Sequence, residues 1–116
     1  MPLTILLRCK DLDETRTFYS AVLGFSVADT AENTLRVEKN GGKLIFTAQD
    51  LWSRGPVCTG TIYFTIPDVN AYYATVKDKA EVAWPPQEMP YGSREFGVND
   101  CNGYCLAFQQ DGPGMD

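Results

Sequence analysis

Apolar and polar residues alternate along residues 3–9 and again along 60–66, and both alternations end at an aspartate followed by an aliphatic residue. The first stretch reads TILLRCKDL and the second TIYFTIPDV. Alternation with period two is the pattern of a strand with one covered face. Beyond each aspartate the apolar period becomes helical. Phe18, Tyr19, Val22 and Leu23 recur on one face after the first strand, and Val69, Tyr72, Tyr73 and Val76 after the second. The sequence thus predicts helices from Asp11 or Asp13 to Leu23 and from Asp68 to Lys77. Asp11 is placed to cap the first helix, with Glu14 positioned to close a capping box and Gly24 to end it.

Short apolar runs bounded by turn residues follow each helix. Strands are predicted at 25–29, 33–38 and 43–48, the last two joined by KNGG, and at 80–84, 94–99 and 104–109, the last two joined by NDCNG. Each half is therefore β-α-β-β-β, over residues 1–50 and 58–110. The segment AQDLWSRGPVCTG between them has the Gly, Pro and polar content of a connecting loop, and the tail DGPGMD is expected to fray. One unit has been used twice. A half of this size cannot bury enough apolar area by itself, so two must pack together, within one chain or across two. The fold expected is a single domain over residues 1–116 of α+β class. Its two βαβββ modules form a curved mixed sheet with helices on the outer face, and the concave face is left for a ligand.

Composition narrows the partners. A net charge of −5 disfavours nucleic acid, whose phosphates need a positive surface. The start, MPLTILLRCKDLD, carries charge too early for a leader peptide or a membrane span, so a cytoplasmic protein with no membrane partner is expected. In that setting Cys9, Cys58, Cys101 and Cys105 are read as reduced thiols, and Cys101 and Cys105 lack the Cys-x-x-Cys spacing of a zinc or redox pair. The chain has no histidine.

Two longer segments carry a family likeness. DLDETRTFYSAVLGF resembles the first helix and second strand of the vicinal oxygen chelate superfamily, and YGSREFGVNDCNGYCLAF resembles its closing hairpin. Within that superfamily the chain is most similar to the glyoxalase/bleomycin-resistance group, particularly its short antibiotic-binding proteins, on the segments TLRVEKNGGKLIFTAQ and PYGSREF. CNG stands where that group commonly has Pro-Asp-Gly. The resemblance implies four metal-ligand positions: the first residue of each opening strand and one residue in each closing strand. The spacing to Asp11 and Asp68 assigns them to Thr4 and Thr61, where histidine or glutamine would stand, and the closing strands assign them to Phe46 and Ala107, where glutamate would stand. None of these side chains is a deprotonated ligand for a divalent ion, so no metal and no other cofactor is expected at that site.

If those positions face inward, alternation turns Leu6, Arg8 and Leu44 inward with Phe46, and Tyr63, Cys105 and Gln109 inward with Thr61. Glu95 and Gly97 follow on the neighbouring strand. The candidate ligand-binding residues are then Arg8, Phe46, Thr61, Tyr63, Glu95 and Gln109, with Tyr91 in the place of a family tryptophan and Trp52 at the rim. Each has a structural alternative. Phe46 and Tyr63 could fill the core, Trp52 could anchor its loop, and Trp84 could be a packing residue. Glu95 could pair with Arg8 or Arg94, and Cys105 could be an inert buried thiol.

The function expected from these residues is binding of a small aromatic or cationic organic molecule without metal, of the antibiotic-sequestering bleomycin-resistance type, by a homodimer whose cleft draws on both chains. The alternatives are an enzyme acting on a small carbonyl compound without metal, with Glu95 as base and Arg8 or Tyr63 to polarise the carbonyl, and a regulatory module with a vestigial cleft.

Overall fold

The two alternating stretches form equivalent strands, β1 (Thr4–Arg8) and β5 (Thr61–Ile66), in a computed structural model that describes residues 4–31 and 33–110. The first module continues with α1 (Leu12–Thr17), a π-helical turn (Phe18–Val22), β2 (Ser26–Asp29), β3 (Thr34–Lys39) and β4 (Gly42–Thr47). The second continues with α2 (Val69–Val76), β6 (Glu81–Glu88), β7 (Arg94–Asn99) and β8 (Cys105–Gln110). The strands make two four-stranded sheets, in the orders β1-β4-β3-β2 and β5-β8-β7-β6. In each, the opening strand lies parallel to the closing one and the other pairings are antiparallel. The α+β class and the duplicated βαβββ unit are those read from the sequence. The tail DGPGMD, expected to fray, lies outside the described residues.

Local chemistry explains the departures. Asp11 caps α1 by accepting from the Asp13 and Glu14 backbone N–H groups at 2.8 and 3.1 Å, but among the described residues Glu14 makes no return bond, so the capping box is half built. The predicted long helix is α-helical only to Thr17. It then widens, with the Leu23 N–H reaching Phe18 O at 3.1 Å. Strand β6 runs beyond its predicted end, through Pro85 and Pro86. Proline is tolerated there because β6 is the edge of its sheet and its pairing with β7 already slips between Val82 and Gln87.

The helix-bearing faces of the two sheets share one core. Phe25 of the first module sits edge-on to Phe64 of the second at 5.1 Å, and Tyr19 lies 5.2 Å from Phe46. Polar ties cross the same joint. Tyr19 Oη donates to Asp100 Oδ2 at 2.5 Å, Tyr72 Oη to Leu23 O at 2.5 Å, and the Lys10 N–H to Asn102 Oδ1 at 2.9 Å. Burial pushes the Asp100 carboxyl upward, while the Tyr19 hydroxyl and the Tyr104 and Asn102 N–H groups pull the other way. Halves too small to stand alone are stabilised by burying these faces against each other. The opposite face of each sheet is left open.

Candidate functional site

Strand register decides which side chains look out from the core. In the first sheet Thr4 pairs with Lys43, Leu6 with Ile45 and Arg8 with Thr47, and these residues share the open face. Ile5 pairs with Leu44 and Leu7 with Phe46 on the core side. The inward reading of β4 is therefore reversed. Phe46 is 0% exposed and packs between Tyr19 and Tyr104, and Leu44 is buried beside it, so neither lines a cleft. Three consecutive apolar residues, Leu44, Ile45 and Phe46, hide the alternation in this strand, and only the parallel pairing with β1 fixes its faces. The open-face positions of β4 are Lys43, Ile45 and Thr47, which still include no carboxylate.

In the second sheet the predicted parity holds. Thr61 pairs with Cys105, Tyr63 with Ala107, Thr65 with Gln109, Gly97 with Ala107 and Glu95 with Gln109, all on the open face. Thr61 Oγ1 points to Cys105 Sγ at 3.7 Å, and Gln109 Nε2 donates to Thr65 Oγ1 at 3.0 Å. Phe64, Leu106 and Phe108 take the core side.

Glu95 is the unusual residue of this face. It is 0% exposed, Oε1 accepts the Tyr91 hydroxyl at 2.6 Å, and Oε2 has no partner. Neither arginine considered for it is engaged there. Arg94 contacts Glu88 at 3.3 Å and Asn70 at 2.9 Å, and Arg8 belongs to the other sheet. Tyr91 and Tyr63 remain 61% and 50% exposed above the acid. Hydrogen bonding to Glu95 is the main cause holding the Tyr91 phenol above its ordinary range, and Tyr63 adds to it. Trp84 lies across Gly97, where an added Cβ would meet its ring at 2.6 Å, and its Nε1 is buried without a partner.

On the first sheet, β1 and the loop after β4 enclose a cavity of about 450 Å³ lined by Leu6, Leu7, Arg8, Trp52, Arg54, Gly55, Val57 and Tyr104. Arg8 holds the loop. Its Nη1 donates to Arg54 O at 2.5 Å and lies 3.3 Å from Asp50 Oδ1, which also accepts the Arg54 N–H at 2.9 Å. Tyr104 Oη donates to Arg8 O at 2.5 Å and closes the other side. Trp52, expected at the rim of the cleft that holds Glu95 and Tyr63, instead lines this cavity on the first sheet. Arg54 and Val57 escape the sequence reading because AQDLWSRGPVCTG reads as a connector, although a tryptophan two residues from an arginine in a polar loop was the available signal, and Tyr104 escapes it because alternation from Cys105 turns it toward the core.

The four inherited ligand positions do not meet in one chain. Thr61 and Ala107 share one open face, Thr4 lies on the open face of the other sheet, and Phe46 is in the core. Among the described residues no group of three or more His, Cys, Asp or Glu side chains is gathered to hold a metal ion. No helix among them is long and apolar enough to cross a membrane.

Comparison with known proteins bears on this arrangement. A family model described as the Glyoxalase/Bleomycin resistance protein/Dioxygenase superfamily matches residues 3–108. No curated protein matches in sequence. Among solved structures, a glyoxalase/bleomycin resistance protein/dioxygenase superfamily member from Sphaerobacter thermophilus superposes with a TM-score of 0.80 at 20% identity, covering 96% of this chain and 97% of that one. TioX from Micromonospora sp. ML1 gives 0.78 at 17% identity, covering 100% of both chains. A glyoxalase/bleomycin resistance protein/dioxygenase from Alicyclobacillus acidocaldarius gives 0.76 at 19%, covering 95% and 90%. At these identities the likeness concerns the fold.

Proposed function

Because the chain belongs to the glyoxalase/bleomycin resistance protein/dioxygenase superfamily yet presents threonines and alanine where its resemblance places ligands, we propose that it is a metal-free small-molecule-binding protein. The observation that carries this reading is Glu95, a fully buried carboxylate with one unpartnered oxygen beneath two exposed tyrosine rings. Leaving such an oxygen unsatisfied costs roughly 1–3 kcal/mol or more. An aromatic or cationic organic ligand supplies what is missing: rings stack on Tyr63 and Tyr91, and a cation offsets the acid. Displacement of Tyr91 opens the way to it. Sequestration of an antibiotic-like molecule is the biological form of this activity.

A second copy of the chain belongs to the proposal. Leu6 is 41% exposed and Tyr63 50%, each on an open sheet face that its own chain leaves uncovered. A facing copy would cover both and enclose the ligand. The four free thiols suit a reducing compartment such as the cytoplasm.

Thermal-shift screening of the purified protein tests the reading. The panel is bleomycin-type glycopeptides, mitomycins, aromatic cations and small carbonyl metabolites, because a ligand that binds only the native state raises its apparent stability. Saturable binding without consumption of the ligand supports sequestration. Turnover of a carbonyl compound, lost in Glu95→Gln, replaces it with the enzyme reading, and a silent panel leaves a vestigial cleft.

A further inference from the structure

We infer a separate ligand site in the cavity between β1 and residues 50–57, one that takes a planar aromatic monocarboxylate. Its volume of about 450 Å³ suits a molecule of one or two rings. Leu6 and Val57 supply apolar walls, and Trp52 and Tyr104 supply aromatic faces.

Charge selects the rest of the ligand. Arg8 and Arg54 both line the cavity. Asp50 lies 3.3 Å from Arg8 Nη1 and offsets that charge, whereas among the described residues no carboxylate lies within 4.0 Å of the Arg54 guanidinium. Arg8 Nε is also buried without a partner. The lining therefore carries one uncompensated positive charge inside a protein of net charge −5. A cation would be repelled, and a neutral ring would gain no ion pair from the exposed Arg54 guanidinium. A second carboxylate would meet Asp50. One carboxylate matches, and its two oxygens suit the planar fork of an arginine.

The loop is arranged to present Arg54. Its carbonyl accepts from Arg8 and its N–H donates to Asp50, so both backbone groups are fixed while the side chain stays exposed. This cavity lies on the other sheet from Glu95 and favours the opposite charge; it shares Leu6 with the face that the proposed second copy would cover, and its test reads Arg54 and Trp52, which the binding proposed at Glu95 does not use.

The test is isothermal titration calorimetry of the intact protein with 2-naphthoate, 2-naphthamide and 2-naphthylmethylammonium. 2-Naphthoate should bind at least about tenfold more tightly than the amide, the ratio worth about 1.4 kcal/mol. The ammonium compound should not displace it. Arg54→Gln should weaken 2-naphthoate about tenfold, and Trp52→Ala should also weaken it. Lys77→Gln, which removes the same charge from an exposed position at the end of α2, should change its affinity by less than about twofold. Three results would overturn the site: no binding of 2-naphthoate, amide and carboxylate binding alike, or equal losses in Arg54→Gln and Lys77→Gln.

Discussion

Tyr91 donates its hydroxyl to Glu95 at 2.6 Å, and among the described residues no basic side chain shares that buried carboxylate. A neutral donor on an exposed turn covers one oxygen while the other is left unpaired. Such an arrangement is costly in a free protein and is relieved when a ligand brings a donor or a positive charge.

Glu95→Gln should weaken binding of an aromatic ammonium ligand by roughly tenfold or more, because a hydrogen bond to a charged group contributes about 1.5–3 kcal/mol. The amide oxygen can still accept from Tyr91, so the melting temperature should hold or rise. Calorimetric titration and thermal melts read the two effects separately. An unchanged affinity for the cation removes Glu95 from the site.

Gly97→Ala should destabilise the second sheet by about 1–3 kcal/mol, as expected for forcing a methyl into filled space. The new Cβ would meet three Trp84 ring carbons at 2.6–2.7 Å. Combined with Trp84→Ala the cost should be clearly less than the sum of the two single losses, because the clash then has no partner. Urea unfolding of the three variants checks it. Strict additivity would mean that the ring does not rest on Gly97.

Stability should fall in alkali. Burial raises the Cys101 thiol from 9.0 to about 11, and burial is also the leading cause of the upward shifts of Tyr19, Tyr72 and Tyr104 from 10.0. A group raised in the folded state contributes stability that is complete below its unfolded pKa and lost as pH rises through the folded one. The urea midpoint should thus hold to about pH 9, decline above it and steepen above pH 10, each group adding at most about 1.4 kcal/mol per pH unit. Tyr19→Phe should lower stability at pH 7 but make the loss above pH 10 shallower. An equally steep loss in that variant would show that Tyr19 does not titrate in this way.

Protein purified without chelators should contain no stoichiometric zinc, nickel, iron or manganese at the inherited positions. Thr4, Thr61, Ala107 and the open-face residues of β4 provide neither imidazole nor carboxylate. Elemental analysis decides this, and one metal ion per chain would overturn it.

Legibility differed between the halves for a physical reason. In β5 and β8 the open-face and core residues differ in character, Thr61, Tyr63 and Gln109 against Phe64, Leu106 and Phe108, so alternation alone sorted them. In β4 the apolar run Leu44, Ile45 and Phe46 masks the alternation, and only the flanking Lys43 and Thr47 mark the open face, a signal overridden by placing the family ligand position on Phe46. The aromatic rim was half legible. Tyr91 lies over Glu95, but Trp52 serves a cavity whose other charged wall, Arg54, stands in a segment with no periodicity to read.

By itself the sequence determined the duplicated unit, the order of strands and helices, and the replacement of imidazole and carboxylate at Thr4, Thr61 and Ala107, because all three depend on residue type and local spacing. Tertiary structure alone decided that Phe46 is core, that the two open faces lie on separate sheets, and that Glu95 answers to Tyr91 instead of an arginine. Each of those depends on which strands pair and which faces meet, relations between residues far apart in the chain that no local pattern encodes.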